Sequence, residues 1–293
     1  MAPGRSARLL WALGINLALS AGLLFAGRAA HSTGLASDAG HNLTDAVAIL
    51  TVVLAERLSS RPATDQRSWG FHRASILAAL ANGLVLVAVT VTIAWMAVER
   101  LIHPVPVHGG IMLLAASISM AANIGVVWLL TEGSADLGIR SALIHSMGDA
   151  LSSAVVAFAG LVALLGSGVA AERVDPVASL IVAGFIVVEA IRVTRESVGV
   201  LVEGVPVDID LLNVRTMLGD LDGVAEVHDL HVWALSSSHR ALSAHLLISD
   251  DRQLSATAEL IAEARSLLNE HFAIDHVTIE LETERCAEAP PHA

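Results

Sequence analysis

At 293 residues the chain has room for one or two domains; 54% of it is hydrophobic and only 16% charged, a balance far from that of a water-soluble globular protein. The formal net charge of −12 argues against nucleic acid and anionic lipid as partners and is compatible with cations. A single cysteine, Cys286, excludes a disulfide framework and a cysteine-rich zinc finger.

In chain order, apolar blocks run from Leu9 to Gly27, Leu35 to Ala55, Ala74 to Val98, Gly109 to Thr131, Ala142 to Leu165 and Val177 to Ile191. Most reach the roughly 20 residues a helix needs to cross a bilayer. The sixth is the weakest, because Glu189 shortens its apolar core. The first begins with Arg5 and Arg8, as a signal peptide would, but its apolar run is long for that role and no small-x-small cleavage site follows. A retained helix is therefore expected. Six spans place both termini on one side of the membrane. Nine arginines (Arg5, Arg8, Arg57, Arg61, Arg67, Arg73, Arg140, Arg192 and Arg195) flank the spans on that side against three (Arg28, Arg100 and Arg173) on the other. The positive-inside rule then predicts a multi-pass protein of the inner (plasma) membrane with both termini cytoplasmic.

Hydropathy collapses at "EGVPVDID". Residues 1–203 are read as the membrane domain, 204–286 as a cytoplasmic domain, and 287–293 as a disordered tail. From residue 204 onward the chain carries sixteen Asp and Glu against five Arg, so this part holds nearly all the negative excess. Asp208 or Asp210 is placed to cap a helix running through Leu218. "VAEVHDLHVWAL" and "ALSAHLLI" alternate as two strands joined by the turn "SSSHR". "LSATAELIAEARSLLNEHF" has helical spacing, and "HVTIELE" reads as a last strand. Helix, strand, strand, helix, strand suits an α+β sandwich with its helices on one face.

Two of the apolar spans contain the same polar pattern. His41 with Asp45, and His145 with Asp149, are each four residues apart, which on a helix puts an imidazole and a carboxylate one turn apart on one face. Two such helices packed together offer two nitrogen and two oxygen ligands, a set that suits tetrahedral Zn2+. His271 with Asp275 is a third copy in the soluble domain, read as a solvated helix end. The first two differ because a charge in mid-bilayer costs about 2.5–3.5 kcal/mol on insertion scales and so normally pairs or serves a pathway. A hydrogen-bonded pair joining the two helices would explain the polarity, but not why the same types recur at the same spacing. No His-Glu-x-x-His arrangement occurs, which argues against an intramembrane zinc protease.

"SDAGHNLTD", "HSMGDALSS", "GFHRASILAALANGL", "DPVASLIVA" and "ESVGVLVEGVP" stand in order along the chain. Together they resemble the cation diffusion facilitator family over nearly the whole length. The resemblance implies six transmembrane helices and a ferredoxin-like cytoplasmic domain, in a homodimer that exchanges cytosolic Zn2+ for protons. No organic cofactor is implied, and Zn2+ serves as substrate and as a regulatory ligand. It assigns the transport site to His41, Asp45, His145 and Asp149. Preference for Co2+, Ni2+, Cd2+ or Fe2+ in the same fold is the alternative; a membrane metal sensor without transport is another. The acidic residue that many relatives carry about two turns after the first-helix Asn is missing from "LALSAGL", after Asn16.

Asp38, one turn before His41, is expected to cap a helix at the outer surface, with an acid supporting the ligands or a proton entry point as the alternatives; Asn16, Asn82 and Asn123 are expected to hydrogen-bond between helices. The resemblance implies that Arg73 and Glu203 pair in a charge interlock, whereas two snorkelling residues are the ordinary reading. In the soluble domain, strand alternation lets one face collect His231, His245 and Glu282. The resembling domains bind zinc at about these positions. His228, His239 and His276 are alternatives, with Cys286 on the tail beyond.

Overall fold

In lipid the backbone must satisfy its own hydrogen bonds, so apolar blocks of this length fold as helices. The computed structural model describes residues 3–59, 61–131, 137–236, 239–249 and 254–284. The blocks form α1 (Pro3–Ala30), α2 (Thr33–Ser59), α3 (Ala74–Ile102), α4 (Gly109–Thr131) and α5 (Leu137–Leu165). A single turn, α6 (Val169–Glu172), then precedes α7 (Val174–Leu201). Each long helix contains the span expected for it. The last continues through Glu189, whose Oε1 accepts a 2.6 Å bond from Arg192 Nη2 one turn on. Leu13–Ala30, Ala74–Ile102, Ser146–Leu165 and Val169–Leu201 are each long and apolar enough to cross a membrane. By contrast, α2 carries Asp38, His41, Asn42 and Asp45 in its first half.

The chain divides into two compact units, Met1–Val53 with Ala81–Thr194, and Leu54–Leu80 with Arg195–Ala293. In the first, Leu35, Met112, Val156 and Val182 are fully buried, while Phe25, Trp95, Phe158 and Val188 face outward. Large apolar side chains on the outside are a liability in water and what a lipid-facing surface requires. Helices α4 and α5 touch backbone to backbone. A Cβ on Gly109 would stand 2.4 Å from Leu164 N, and one on Gly160 would stand 2.6 Å from Leu113 N. Only glycine allows that approach.

The second unit extends beyond residues 204–284 to include the α2–α3 connection. Trp69 meets His276 at 4.5 Å between ring centroids, His72 meets His239 at 4.6 Å, and Arg73 Nη2 donates to Glu203 Oε1 at 2.7 Å. Its remainder is α8 (Leu211–Gly219), β1 (Val224–Ala234), β2 (Arg240–Ile248), α9 (Leu254–Phe272) and β3 (His276–Glu282). Of the two aspartates proposed for the cap, Asp210 accepts from Leu212 N at 2.9 Å, and Asp208 instead accepts from Arg240 Nη2 at 2.7 Å. The strands lie in the order β1-β2-β3, β1 antiparallel to β2 and β2 parallel to β3. Leu242, Ala244, Leu246 and Ile248 alternate into a core shared with Val214, Leu218, Leu260, Ala264 and Leu268 of the two helices. Odd-numbered β2 residues, His245 among them, therefore occupy the opposite face. Cys286, the tail 287–293 and positions 237–238 of the "SSSHR" turn lie outside the described residues.

Candidate metal centre

Helix periodicity brings His41 and Asp45 to one face of α2, and packing sets α5 against it. His41 Nε2 lies 2.8 Å from Asp149 Oδ1 and 3.8 Å from Asp45 Oδ2. The three donor atoms all fall within 4.8 Å of one another. His41 and Asp149 are buried and Asp45 nearly so. Tetrahedral ligation with bonds of about 2.0–2.1 Å places donors about 3.3 Å apart, so small side-chain shifts seat an ion among these atoms. The fourth expected ligand, His145, belongs to α5, and its side chain lies outside those described.

One turn toward the Thr33 end of α2 is a second polar layer. Asp38 is not a helix cap: α2 begins five residues before it, and its side chain is fully buried. Ser153 Oγ of α5 donates to Asp38 Oδ2 at 3.0 Å, and Asn42 Nδ2 approaches Asp38 Oδ1 at 3.4 Å. Ser153 Oγ also lies 3.0 Å from Ser119 Oγ of α4. The real cap of α2 was not legible in sequence. Ser32 Oγ accepts from Leu35 N at 3.1 Å, and the buried carboxylate of Asp175 on α7 accepts from Thr33 N at 2.7 Å and Gly34 N at 3.0 Å. Asp175 Oδ2 also accepts from Thr33 Oγ1 at 2.8 Å and lies 3.9 Å from Arg100 Nη1, a guanidinium that donates to the His31 carbonyl. A carboxylate at a helix N-terminus satisfies orphan N–H groups and opposes the helix dipole. The expected interhelical bonds of two amides are not found: Asn82 Oδ1 and Asn123 Nδ2 are buried without hydrogen-bond partners among the described residues.

In the small sheet a different histidine from the expected one joins His245 and Glu282. His228 Nε2 lies 3.1 Å from Glu282 Oε2, and His245 Nδ1 lies 2.7 Å from Glu282 Oε1. The two rings are 5.4 Å apart, and the three residues hold donors within 4.8 Å of one another. His228 Nε2 and His245 Nδ1 are buried without a hydrogen bond of acceptable geometry among the described residues, which fits two ring nitrogens facing a common point. His231 stands one rung away, opposite Ser243, with Nε2 3.0 Å from Asp229 Oδ1. The cause is a bulge between His228 and His231, where Asp229 takes φ +48°. The extra residue puts His228, not Asp229, opposite His245. His239 and His276 lie elsewhere: His239 Nδ1 contacts Asp275 Oδ2 at 2.5 Å, and His276 packs on Trp69. Burial tends to raise the Asp275 carboxyl, but bonds from His239 and the Arg240 N–H, with the charge of His239, outweigh it and hold it below the usual range. His271 is exposed on the last turn of α9.

Family models match both parts of the chain: the cation efflux transmembrane domain over residues 9–202 and the cation efflux protein cytoplasmic domain over residues 206–284. The chain is 34% identical over 282 residues to the zinc transporter ZitB of Escherichia coli (strain K12), covering 95% of this chain and 88% of the relative. It is 34% identical over 258 residues to a cadmium, cobalt and zinc/H(+)-K(+) antiporter of Bacillus subtilis (strain 168), covering 87% and 81%. A solved structure of the metal-bound C-terminal domain of the CzcD transporter from Cuprividus metallidurans is 35% identical, with a TM-score of 0.23, and covers 25% of this chain and 99% of that one. With helical and C-terminal parts both matched, the chain belongs to the cation efflux family.

Proposed function

We propose that this protein exports Zn2+ from the cytosol in exchange for protons, through a site formed by His41, Asp45, His145 and Asp149. The observation that carries the reading is the convergence of His41, Asp45 and Asp149 within 4.8 Å on apolar helices. Ligands bind metal only when deprotonated, so loading the site releases protons and protonating it expels the ion. The proton between His41 Nε2 and Asp149 Oδ1 has to leave before both atoms can face a cation. An inward proton gradient then drives metal outward.

In this reading residues 1–203 carry transport, both termini are cytoplasmic, and 204–286 form a dimerising domain whose second metal site is His228, His245 and Glu282. The Arg73–Glu203 pair serves as a charge interlock at the join, although side chains this exposed contribute little stability. Broader selectivity is the second reading, favoured by the relative named for cadmium, cobalt and zinc. The test is metal flux into proteoliposomes across a panel of divalent ions, with and without a pH gradient. Zn2+ moves fastest and acidifies or alkalises the lumen in step, and Asp149→Ala stops it while leaving the dimer on size exclusion. Wild-type flux in Asp149→Ala rejects the site; flux that ignores the pH gradient rejects the exchange.

A further inference from the structure

Two of the polar contacts between α2 and α5 stand one turn apart. One is His41 Nε2 to Asp149 Oδ1 at 2.8 Å, and the other is Ser153 Oγ to Asp38 Oδ2 at 3.0 Å. Asp38 precedes His41 by three residues and Ser153 follows Asp149 by four, so the contacts are rungs one turn apart between antiparallel helices. Ser119 of α4 stands 3.0 Å behind Ser153 Oγ and braces it.

The two rungs fare differently when a cation arrives. A metal among the ligands takes the lone pairs of both His41 Nε2 and Asp149 Oδ1, and the bond between them is lost. The Asp38–Ser153 bond does not involve those atoms. It is then a polar rung that still holds α2 in register on α5. In a bilayer, no water replaces such a bond if it breaks. Asp38 is fully buried and has no ion pair among the described residues; its carboxyl hydrogen-bonds with the hydroxyls of Ser119 and Ser153 and meets Asn42. A charge at this depth is costly, and the groups that touch the carboxyl are two hydroxyls and an amide, so hydrogen bonding is the interaction its surroundings are built for.

We infer that Asp38 and Ser153 are positioning residues: their bond, braced by Ser119, fixes the register of α2 on α5 in the metal-loaded site and acts without need of a charge. This rests on the transport-site reading above. The experiment measures Zn2+ flux in proteoliposomes against Zn2+ concentration, with Asp149→Ala as control. Asp38→Ala and Ser153→Ala each raise KM about tenfold, the double variant is no worse than either, and Asp38→Asn and Ser153→Thr, which keep the bond, stay within about twofold of wild type. Wild-type KM in both alanine variants overturns the inference, as does an Asp38→Asn variant as impaired as Asp38→Ala, which would mean that charge is required. Should Asp38→Ala fail to fold, the Ser153→Ala and Ser153→Thr pair decides alone. If Asp149→Ala itself transports normally, the site assignment falls; if it is dead while both rung variants are normal, only the rung falls.

Discussion

The helical unit and the small sheet each gather imidazole and carboxylate, but they do so by different geometry. On α2 the partners His41 and Asp45 are four residues apart, and the helix alone makes them neighbours. In the sheet, His228, His245 and Glu282 come from three strands, and their meeting depends on an antiparallel register, a parallel register and a one-residue bulge. A helix writes its site into local spacing, whereas a sheet writes it into pairings between distant segments.

Breaking each site separately tests that contrast, and the largest effect is expected in the membrane. His41→Ala lowers the affinity of the intramembrane site by at least about a hundredfold, more than loss of an outer-shell partner costs. Equilibrium Zn2+ binding to the intact protein in detergent then loses one class of site and keeps the other; two undiminished classes would remove His41 from the ligands. His228→Ala removes the sheet class with a loss of about tenfold or more, while His231→Ala leaves it unchanged. Reversal of that order would mean that the bulge does not choose the ligand.

Packing gives a subtler separation. Gly160→Ala puts a methyl 2.6 Å from the Leu113 backbone nitrogen, an overpacking worth about 1–3 kcal/mol. It weakens Zn2+ binding in the membrane by moving α5 and leaves the sheet site untouched; equal losses at both sites would contradict independent construction. The smallest effect concerns acid. The depressed Asp275 carboxyl contributes stability that is present above the ordinary aspartate value of about 3.9 and is lost as pH falls through its lower folded value. Wild type should therefore melt slightly above Asp275→Asn at pH 6, and the gap should shrink as pH falls below about 4. Because Asp275 is exposed, the difference is small, and a gap that widens in acid would reverse the assigned sign.

Legibility in the sequence followed the same divide. Apolar runs and caps located every long helix and all three strands, because periodicity and hydropathy are local quantities. His41, Asp45 and Asp149 were recognisable for the same reason. His231 was expected where His228 stands, since nothing in "VHDLHV" marks Asp229 as a bulge and regular alternation is the default. Asp38 resembled a cap because it sits near the start of an apolar run; the true start lay five residues earlier, capped by Ser32 and by Asp175 from a helix more than a hundred residues away. A cap supplied by another helix has no signature in the segment it caps.

That fastening gives α2 the mechanics of a lever. Its Thr33 end is held by Asp175 and Ser32, and Ser179 Oγ adds a 2.9 Å bond to Thr33 Oγ1. At 1.5 Å per residue, His41 lies about 12 Å from this fulcrum and Asp45 about 18 Å. A tilt of about 5° about Thr33 displaces them by about 1.0 and 1.6 Å, comparable with the difference between a metal–ligand bond and an open contact. Asp45, on the longer arm, travels farther than His41 in any such swing.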